Sequence, residues 1–237
     1  MTRRRRGDGS VRFFHGPMNC GKSTMALQVD YNQRLQGRRG VLLTRLDRSG
    51  GPQVTSRLGL DRPAVEVGDD DDLRQLVPDV VRREGPGSGT GGPDGADYVV
   101  VDEAQFFSPA HIDQLAELAD RHGTDCHVFG LATDFRGLLF PASARLFEIA
   151  DAVTAIPVEV LCWCGRPARF NARVVDHRRV LTGSTVVLGD TTDEPADAGL
   201  FDGEDVSGPV ASGGHYQVLC RRHHRDGRLG PDADPPT

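Results

Sequence analysis

Residues Gly16 to Ser23 read Gly-Pro-Met-Asn-Cys-Gly-Lys-Ser, a full G-x-x-x-x-G-K-S spacing. Two glycines at that separation let the backbone wrap a polyphosphate with its own N–H groups, while the lysine reaches the β- and γ-phosphates and the serine hydroxyl can bind Mg²⁺. Gly16, Pro17, Met18, Asn19, Cys20, Gly21, Lys22, Ser23 and Thr24 are therefore the candidate ATP and Mg²⁺ contacts. A second constellation, Asp102-Glu103-Ala104-Gln105-Phe106-Phe107, follows directly on the apolar run Tyr98 to Val101. An acidic pair there can simply cap the next helix. Alongside a phosphate loop it reads as the other half of a nucleotide site: Asp102 holds Mg²⁺ or its water, and Glu103 accepts a proton from an attacking hydroxyl. Gln105 joins the nucleotide-side set.

These residues need a scaffold that brings strand ends together. Apolar runs bounded by turn signals recur at Val11 to Phe14, Gly40 to Thr44, Tyr98 to Val101, Cys126 to Leu131 and Ala152 to Pro157. With helical-period segments between several of them, the alternation predicts a parallel α/β sheet, the fold class of P-loop proteins. The phosphate loop then lies between the first strand and a helix over Thr24 to Gln36, whose positive dipole end faces a bound anion. Ser108 with Pro109 predicts another helix start; Ile112, Leu115, Leu118 and Ala119 share one face of it, and Gly123 ends it. A shorter helix is expected over Ala142 to Ala150.

Two stretches, Arg83 to Ala96 and Asp190 to Gly214, are dominated by Gly, Pro, Ser or acidic residues and read as loops without a core of their own. After Pro157 the composition turns to Cys, Arg and His. The expected organisation is a basic tail over 1–10, a nucleotide-binding domain over 11–157, a small domain over 158–225 carrying the acidic insert 190–214, and a tail over 226–237.

The 237 residues carry a formal net charge of -6, which disfavours an extended nucleic-acid footprint. Arg3 to Arg6 form the one dense basic run and read as a solvated tail. No apolar stretch reaches the length of a membrane span and no secretory signal is visible, so a cytoplasmic protein is expected. Five cysteines, an odd number, then suggest metal rather than disulfides. Cys126 reads as core and Cys20 as a loop variant. Cys162, Cys164, Cys220 and His223 are two pairs of soft or borderline ligands that suit a tetrahedral, structural Zn²⁺, with His224, His215 and His177 as substitute ligands.

From Val11 to His224 the chain resembles the cytosolic, zinc-containing (type II) thymidine kinases. The resemblance rests on Gly16-Pro17-Met18 with Gly21-Lys22-Ser23-Thr24, on Asp102 to Phe107, on Ser56 to Leu60, on Thr133-Asp134-Phe135-Arg136-Gly137 and on the Cys-rich tail ending Tyr216 to His223. It implies a RecA-like P-loop sheet with a small zinc domain, and transfer of the γ-phosphoryl of ATP to the 5′-hydroxyl of thymidine, or of deoxyuridine, in the salvage of DNA precursors. Glu103 would be the general base and Lys22 the phosphate-binding lysine. Arg48 would stabilise charge near the phosphates, its alternative being a solvated loop arginine. Phe135 and Phe140 would wall the thymine ring, while Thr185, Val186, Val187, Leu188, Gly189 and Tyr216 would come from a substrate-closing loop reading the base edge through backbone groups. A homotetramer is also implied.

Three departures from the family pattern stand out. The first cysteine pair is Cys-x-Cys rather than the usual Cys-x-x-Cys, leaving less slack for one metal sphere. Ala132 replaces a common aspartate, with Asp134 the next carboxylate along. The acidic insert lengthens the substrate-closing loop. A P-loop NTPase without a nucleoside acceptor is the alternative; a guanine-reading Asn-Lys-x-Asp is absent from the chain.

Overall fold

A computed structural model describes residues 9–45, 53–83, 95–183 and 214–230. The chain divides into two compact units, one comprising the residues up to Ala132 with Leu139–Val158, the other Thr133–Leu138 with the chain from Glu159 onward. Arg48, residues 185–189, most of the 190–214 insert, nearly all of the basic tail and residues 84–94 of the first expected loop lie outside the described residues.

In the first unit the elements run β1 (Ser10–His15), α1 (Lys22–Leu35), β2 (Gly40–Thr44), β3 (Gln53–Thr55), β4 (Asp61–Pro63), β5 (Val65–Glu66), α2 (Leu73–Arg83), β6 (Tyr98–Val101), a 3₁₀ turn over Ala104–Phe106, α3 (Pro109–His122), β7 (Asp125–Gly130), α4 (Pro141–Ile149) and β8 (Ala152–Ala155). Six of the strands form one sheet in the order β5-β2-β6-β7-β1-β8, every neighbouring pair parallel. The parallel α/β reading therefore holds. Strands buried on both faces read as continuous apolar runs, and β6, Tyr-Val-Val-Val, is buried at every position. By contrast β8 is exposed along its length at the sheet edge.

The register matters for function. Val101 of β6 pairs with Leu43 and with Val128, so the chain leaves β6 beside the carboxyl ends of β2 and β7. β7 lies between β6 and β1, which brings the acidic pair and the phosphate loop to one end of the sheet, where open α/β sheets bind ligands.

Helix α3 shows how the sequence sets its own boundaries. Ser108 accepts from the His111 N–H at 3.2 Å while His111 Nδ1 accepts from the Ser108 N–H at 3.3 Å, a reciprocal cap. Gly123, at φ 70°, closes the other end in the left-handed conformation that glycine adopts without penalty. Ile112, Leu115, Leu118 and Ala119 are buried in the main core with Phe13, Val99 and Val128, each large one stabilising the fold by roughly 1.5–3 kcal/mol over exposure. Three elements carry no clear periodic signal, the two strands of the β3–β4 hairpin and the two-residue β5, while α2 has a helical apolar period, Leu73, Val77 and Val81, with Pro78 inside it.

The second unit holds β9 (Phe170–Val175), β10 (Arg178–Val180), β11 (Gly214–Leu219) and α5 (Arg221–Asp226). Its strands pair antiparallel in the order β10-β9-β11. Residues 226–230, which composition assigns to the C-terminal tail, are tied in: Arg228 N–H donates to the His223 carbonyl at 2.9 Å, and Gly230 N–H to Gln217 Oε1 at 3.0 Å.

Candidate active site

Between β1 and α1 the backbone takes two left-handed residues, Asn19 at φ 67° and Gly21 at φ 79°. Successive turns of this kind aim N–H groups inward at a bound anion. Cys20, read from sequence as a loop variant, is fully buried, and its thiol occupies the space above Gly16: a Cβ there would sit 2.5 Å from Cys20 Sγ. Burial pushes that thiol up, against the pull of Lys22. The Lys22 ammonium donates to the Pro17 carbonyl at 2.9 Å, holding it over the loop.

Asp102 follows β6, its N–H bonded to the Leu43 carbonyl at 2.9 Å. The side chain is 3% exposed, the Ser23 hydroxyl donates to it, and its Oδ1 is buried without a hydrogen-bond partner. Burial, reinforced by the neighbouring Glu103 charge, pushes its carboxyl up to about 7, despite Ser23 and Lys22. A buried carboxylate oxygen lacking a partner, beside a loop serine, suits a hard, oxygen-seeking cation such as Mg²⁺.

Glu103 is held at φ 51°, a left-handed conformation uncommon outside glycine, asparagine and aspartate. Such strain persists where surrounding bonds over-determine it, and Gln105 provides them. Its amide Nε2 donates to Glu103 Oε2 at 2.5 Å, and its Oε1 accepts from the Leu131 N–H at 2.9 Å. Because a backbone N–H can only donate, the amide orientation is fixed. Sequence groups Gln105 with the nucleotide contacts; its buried side chain is engaged between Glu103 and the end of β7. Gly130 makes room, since a Cβ there would lie 3.1 Å from Gln105 Oε1 and 3.2 Å from Ala104 Cβ.

Ala132 offers its carbonyl to the Phe140 N–H at 3.2 Å. The Asp134 carboxylate is engaged within its own turn, accepting from the N–H groups of Arg136 and Leu138 at 2.9 and 3.0 Å and pairing with the Arg136 guanidinium. Phe140 and Phe106 meet edge to face, centroids 6.4 Å apart. Phe135 belongs to the second unit and is buried there under the Arg136 guanidinium, 5.5 Å from the ring centroid. Tyr216 sits on β11 opposite Arg173.

Cys162, Cys164, Cys220 and His223 each place one ligand atom within 4.8 Å of the others. The short Cys-x-Cys spacing thus closes one cluster. A tight turn does it: Cys162 N–H donates to the Arg166 carbonyl at 2.8 Å, Gly165 N–H to the Cys162 carbonyl at 2.8 Å, and Leu161 bridges Pro167. Cys220 caps α5, and backbone N–H groups of His223 and Arg222 hold its thiol low. Trp163 stacks flat on His223, centroids 4.3 Å apart at 5°. Four sulfur and nitrogen donors at this closeness fit a tetrahedral metal such as zinc with no open position. Neither His224 nor His177 nor His215 belongs to the cluster. His224 bonds elsewhere, a role sequence could signal only through its place beside His223.

Among the described residues no helix is long and apolar enough to cross a membrane. The family model described as thymidine kinase matches residues 9–187. A thymidine kinase of Streptomyces coelicolor is 46% identical over 213 residues, covering 90% of this chain and 87% of that protein. One from Cutibacterium acnes is 46% identical over 218 residues, 92% of this chain and 89% of its own length. A more distant relative of the same name, from Rhizobium etli, is 38% identical over 216 residues, 90% of this chain and 92% of that one.

Proposed function

The chain belongs to the thymidine kinase family, and from that premise we propose how its residues carry out ATP-dependent phosphorylation of thymidine. The observation that carries the reading is the Asp102-Glu103 pair at the carboxyl end of β6, with the Ser23 hydroxyl of the phosphate loop bonded to Asp102.

The backbone N–H groups of the loop and Lys22 take the phosphates of ATP. Asp102 and Ser23 are the groups that would hold Mg²⁺, which supplies charge neutralisation on the phosphates when bound. Glu103 accepts the proton of the thymidine 5′-hydroxyl as that oxygen attacks the γ-phosphorus, the bond to the β-γ bridging oxygen breaks, and dTMP and ADP result. Little more than positioning, charge compensation and a base is required. Arg48 adds positive charge near the phosphates.

Phe135 and Phe140 stack against the thymine ring, and Tyr216 with Thr185 to Gly189 reads its edge; deoxyuridine is accepted through the same contacts. The segment 158–225 serves as a zinc-stabilised small domain bearing the substrate-closing loop. A homotetrameric assembly and a cytoplasmic location follow from the family resemblance.

The test is ADP release by the purified chain with Mg²⁺-ATP, with and without thymidine, alongside deoxycytidine and deoxyguanosine. Release that requires thymidine supports the reading; equal release without a nucleoside replaces it with a water-activating NTPase.

A further inference from the structure

Helix α5 is six residues long, too short to hold itself in place, and its two consecutive histidines anchor it in different directions. His223 joins the Cys/His cluster, with its Nδ1 3.4 Å from Cys162 Sγ. His224 turns away from it, 5% exposed, and sets its Nε2 3.0 Å from the Phe135 carbonyl oxygen. A carbonyl only accepts, so the bond requires the proton on Nε2, and the Arg179 guanidinium, 3.0 Å from the same nitrogen, is then its neighbour and not a donor to it. The His224 ring stacks on Phe170 with centroids 4.9 Å apart at 25°, and Arg179 donates to the His224 carbonyl from β10.

On the other side of that bond, the segment Thr133–Leu138 is a turn closed on itself. Asp134 N–H donates to the Leu138 carbonyl at 2.8 Å, Gly137 N–H to the Asp134 carbonyl at 3.0 Å, and the Asp134 carboxylate takes the Arg136 and Leu138 N–H groups. Those bonds set the shape of the turn but not its place. His224 supplies a bond from outside it. The approach is close: a Cβ on Gly137 would lie 3.5 Å from His224 Cε1.

We propose that His224 is a positioning residue for the nucleoside: by holding the Phe135 backbone from the helix that bears His223, it fixes the plane that Phe135 offers to the thymine ring. Integrity of the Cys/His cluster is thereby coupled to thymidine binding, although the cluster touches no substrate. The inference rests on Phe135 being a wall of the thymine site.

The experiment compares the full chain with His224→Phe, His224→Asn, His224→Gln and Phe135→Leu, measuring KM for thymidine and for ATP, thymidine affinity by calorimetry, and zinc content. His224→Phe keeps a ring against Phe170 and removes the donor; His224→Asn keeps an amide donor on a side chain too short to reach the place of Nε2. Both are expected to weaken thymidine binding about tenfold, the scale of one buried carbonyl left unbonded, with ATP KM and zinc content unchanged. His224→Gln, whose amide nitrogen reaches as far as the histidine Nε2, is expected to recover most of the loss. Should His224→Phe fail to fold, the contrast between Asn and Gln carries the test. Loss of zinc, equal weakening of ATP and thymidine, or no recovery in His224→Gln overturns the proposal. If Phe135→Leu weakens thymidine binding while His224→Phe and His224→Asn do not, the positioning role alone falls. If Phe135→Leu binds thymidine normally, the reading of Phe135 falls and takes the inference with it.

Discussion

Gln105 Nε2 donates to Glu103 Oε2 at 2.5 Å while Gln105 Oε1 accepts the Leu131 N–H at 2.9 Å, so the carboxylate beyond β6 is tied to the end of β7 by one side chain. Removing the Glu103 carboxylate and removing its tether must differ in effect. Glu103→Gln is expected to lower kcat by about 10²–10⁴, the usual worth of a general base, with ATP binding retained. Gln105→Leu leaves the base in place but free to leave its geometry, and should lower kcat by about 10- to 100-fold with little change in thymidine KM. Gln105→Glu replaces the donor with a second carboxylate that repels the first, and should lower kcat at least as far as Gln105→Leu. Intact kcat in both Gln105→Leu and Gln105→Glu would remove the tether from the mechanism.

The Cys/His cluster makes a prediction about composition. Cys162, Cys220 and His223 are buried and Cys164 is exposed, yet all four ligand atoms lie within 4.8 Å. Each protein chain should therefore carry one zinc by metal analysis. Cys220→Ser and Cys164→Ser should both lose it and lower the melting temperature, because a structural site contributes its binding free energy to folding. Full metal content in Cys164→Ser would show that the Cys-x-Cys pair supplies a single ligand.

How far the sequence reaches depends on what each feature rests on. The parallel sheet is legible because Tyr98 to Val101 is an unbroken apolar run with few other uses and Val11 to Phe14 is interrupted only by Arg12, and α3 because Ser108, Pro109 and Gly123 mark its ends chemically. Helix α2 is not legible: Pro78 lies inside an otherwise amphipathic stretch, where local rules disfavour a helix and packing of Leu73, Val77 and Val81 into the core overrides them. Short strands such as β5 exist only through a partner, here β2, and leave no periodic trace. In the site, the motifs name Lys22, Asp102, Glu103 and the four cluster residues. The bond from Gln105 to Leu131 and that from His224 to Phe135 join residues far apart in the chain, and no spacing rule announces them.

His127 on β7 offers a pH test of the core. It is 5% exposed with an unpartnered Nδ1, and burial, helped by Arg12 and Arg38, lowers it from 6.5 to about 4 against the opposing pull of Asp125. Between those values the unfolded chain binds the proton and the folded chain does not, so this residue's contribution to stability falls as pH drops from 6.5 towards 4, by at most about 3 kcal/mol. Asp102 acts in the opposite sense: raised from 3.8 to about 7, it is protonated when folded and ionised when unfolded, and it costs stability as pH rises through that range. The two oppose one another in the wild-type protein. His127→Gln removes one of them, so the stability gap between wild type and variant in urea unfolding should widen in favour of wild type from about pH 4.5 to about pH 7. A gap independent of pH would mean that folding leaves the His127 pKa unshifted, and a gap that narrows as pH rises would mean that folding raises it.

The phosphate loop is packed from within, since Cys20 Sγ fills the volume that a Cβ on Gly16 would enter at 2.5 Å, with Cys20 Cβ itself 3.4 Å away. Gly16 has no positive φ to protect, so its glycine is required by contact rather than by backbone conformation. Gly16→Ala alone must displace either the thiol or the loop, and a shift of about 1 Å in a positioning element is enough to cost about 10²-fold in rate. Cys20→Ala alone removes a buried sulfur beside Lys22 and should cost much less. In the double variant the Cβ introduced at position 16 meets the Cβ at position 20 at 3.4 Å and the Ile156 Cβ at 3.7 Å, contacts that ordinary packing absorbs with a small adjustment. ATP affinity and kcat should then recover most of what Gly16→Ala lost, giving a coupling of about 1–2 kcal/mol between the two sites in a double-mutant cycle. Additive losses would place the defect of Gly16→Ala in the phosphate contacts themselves, independent of the thiol.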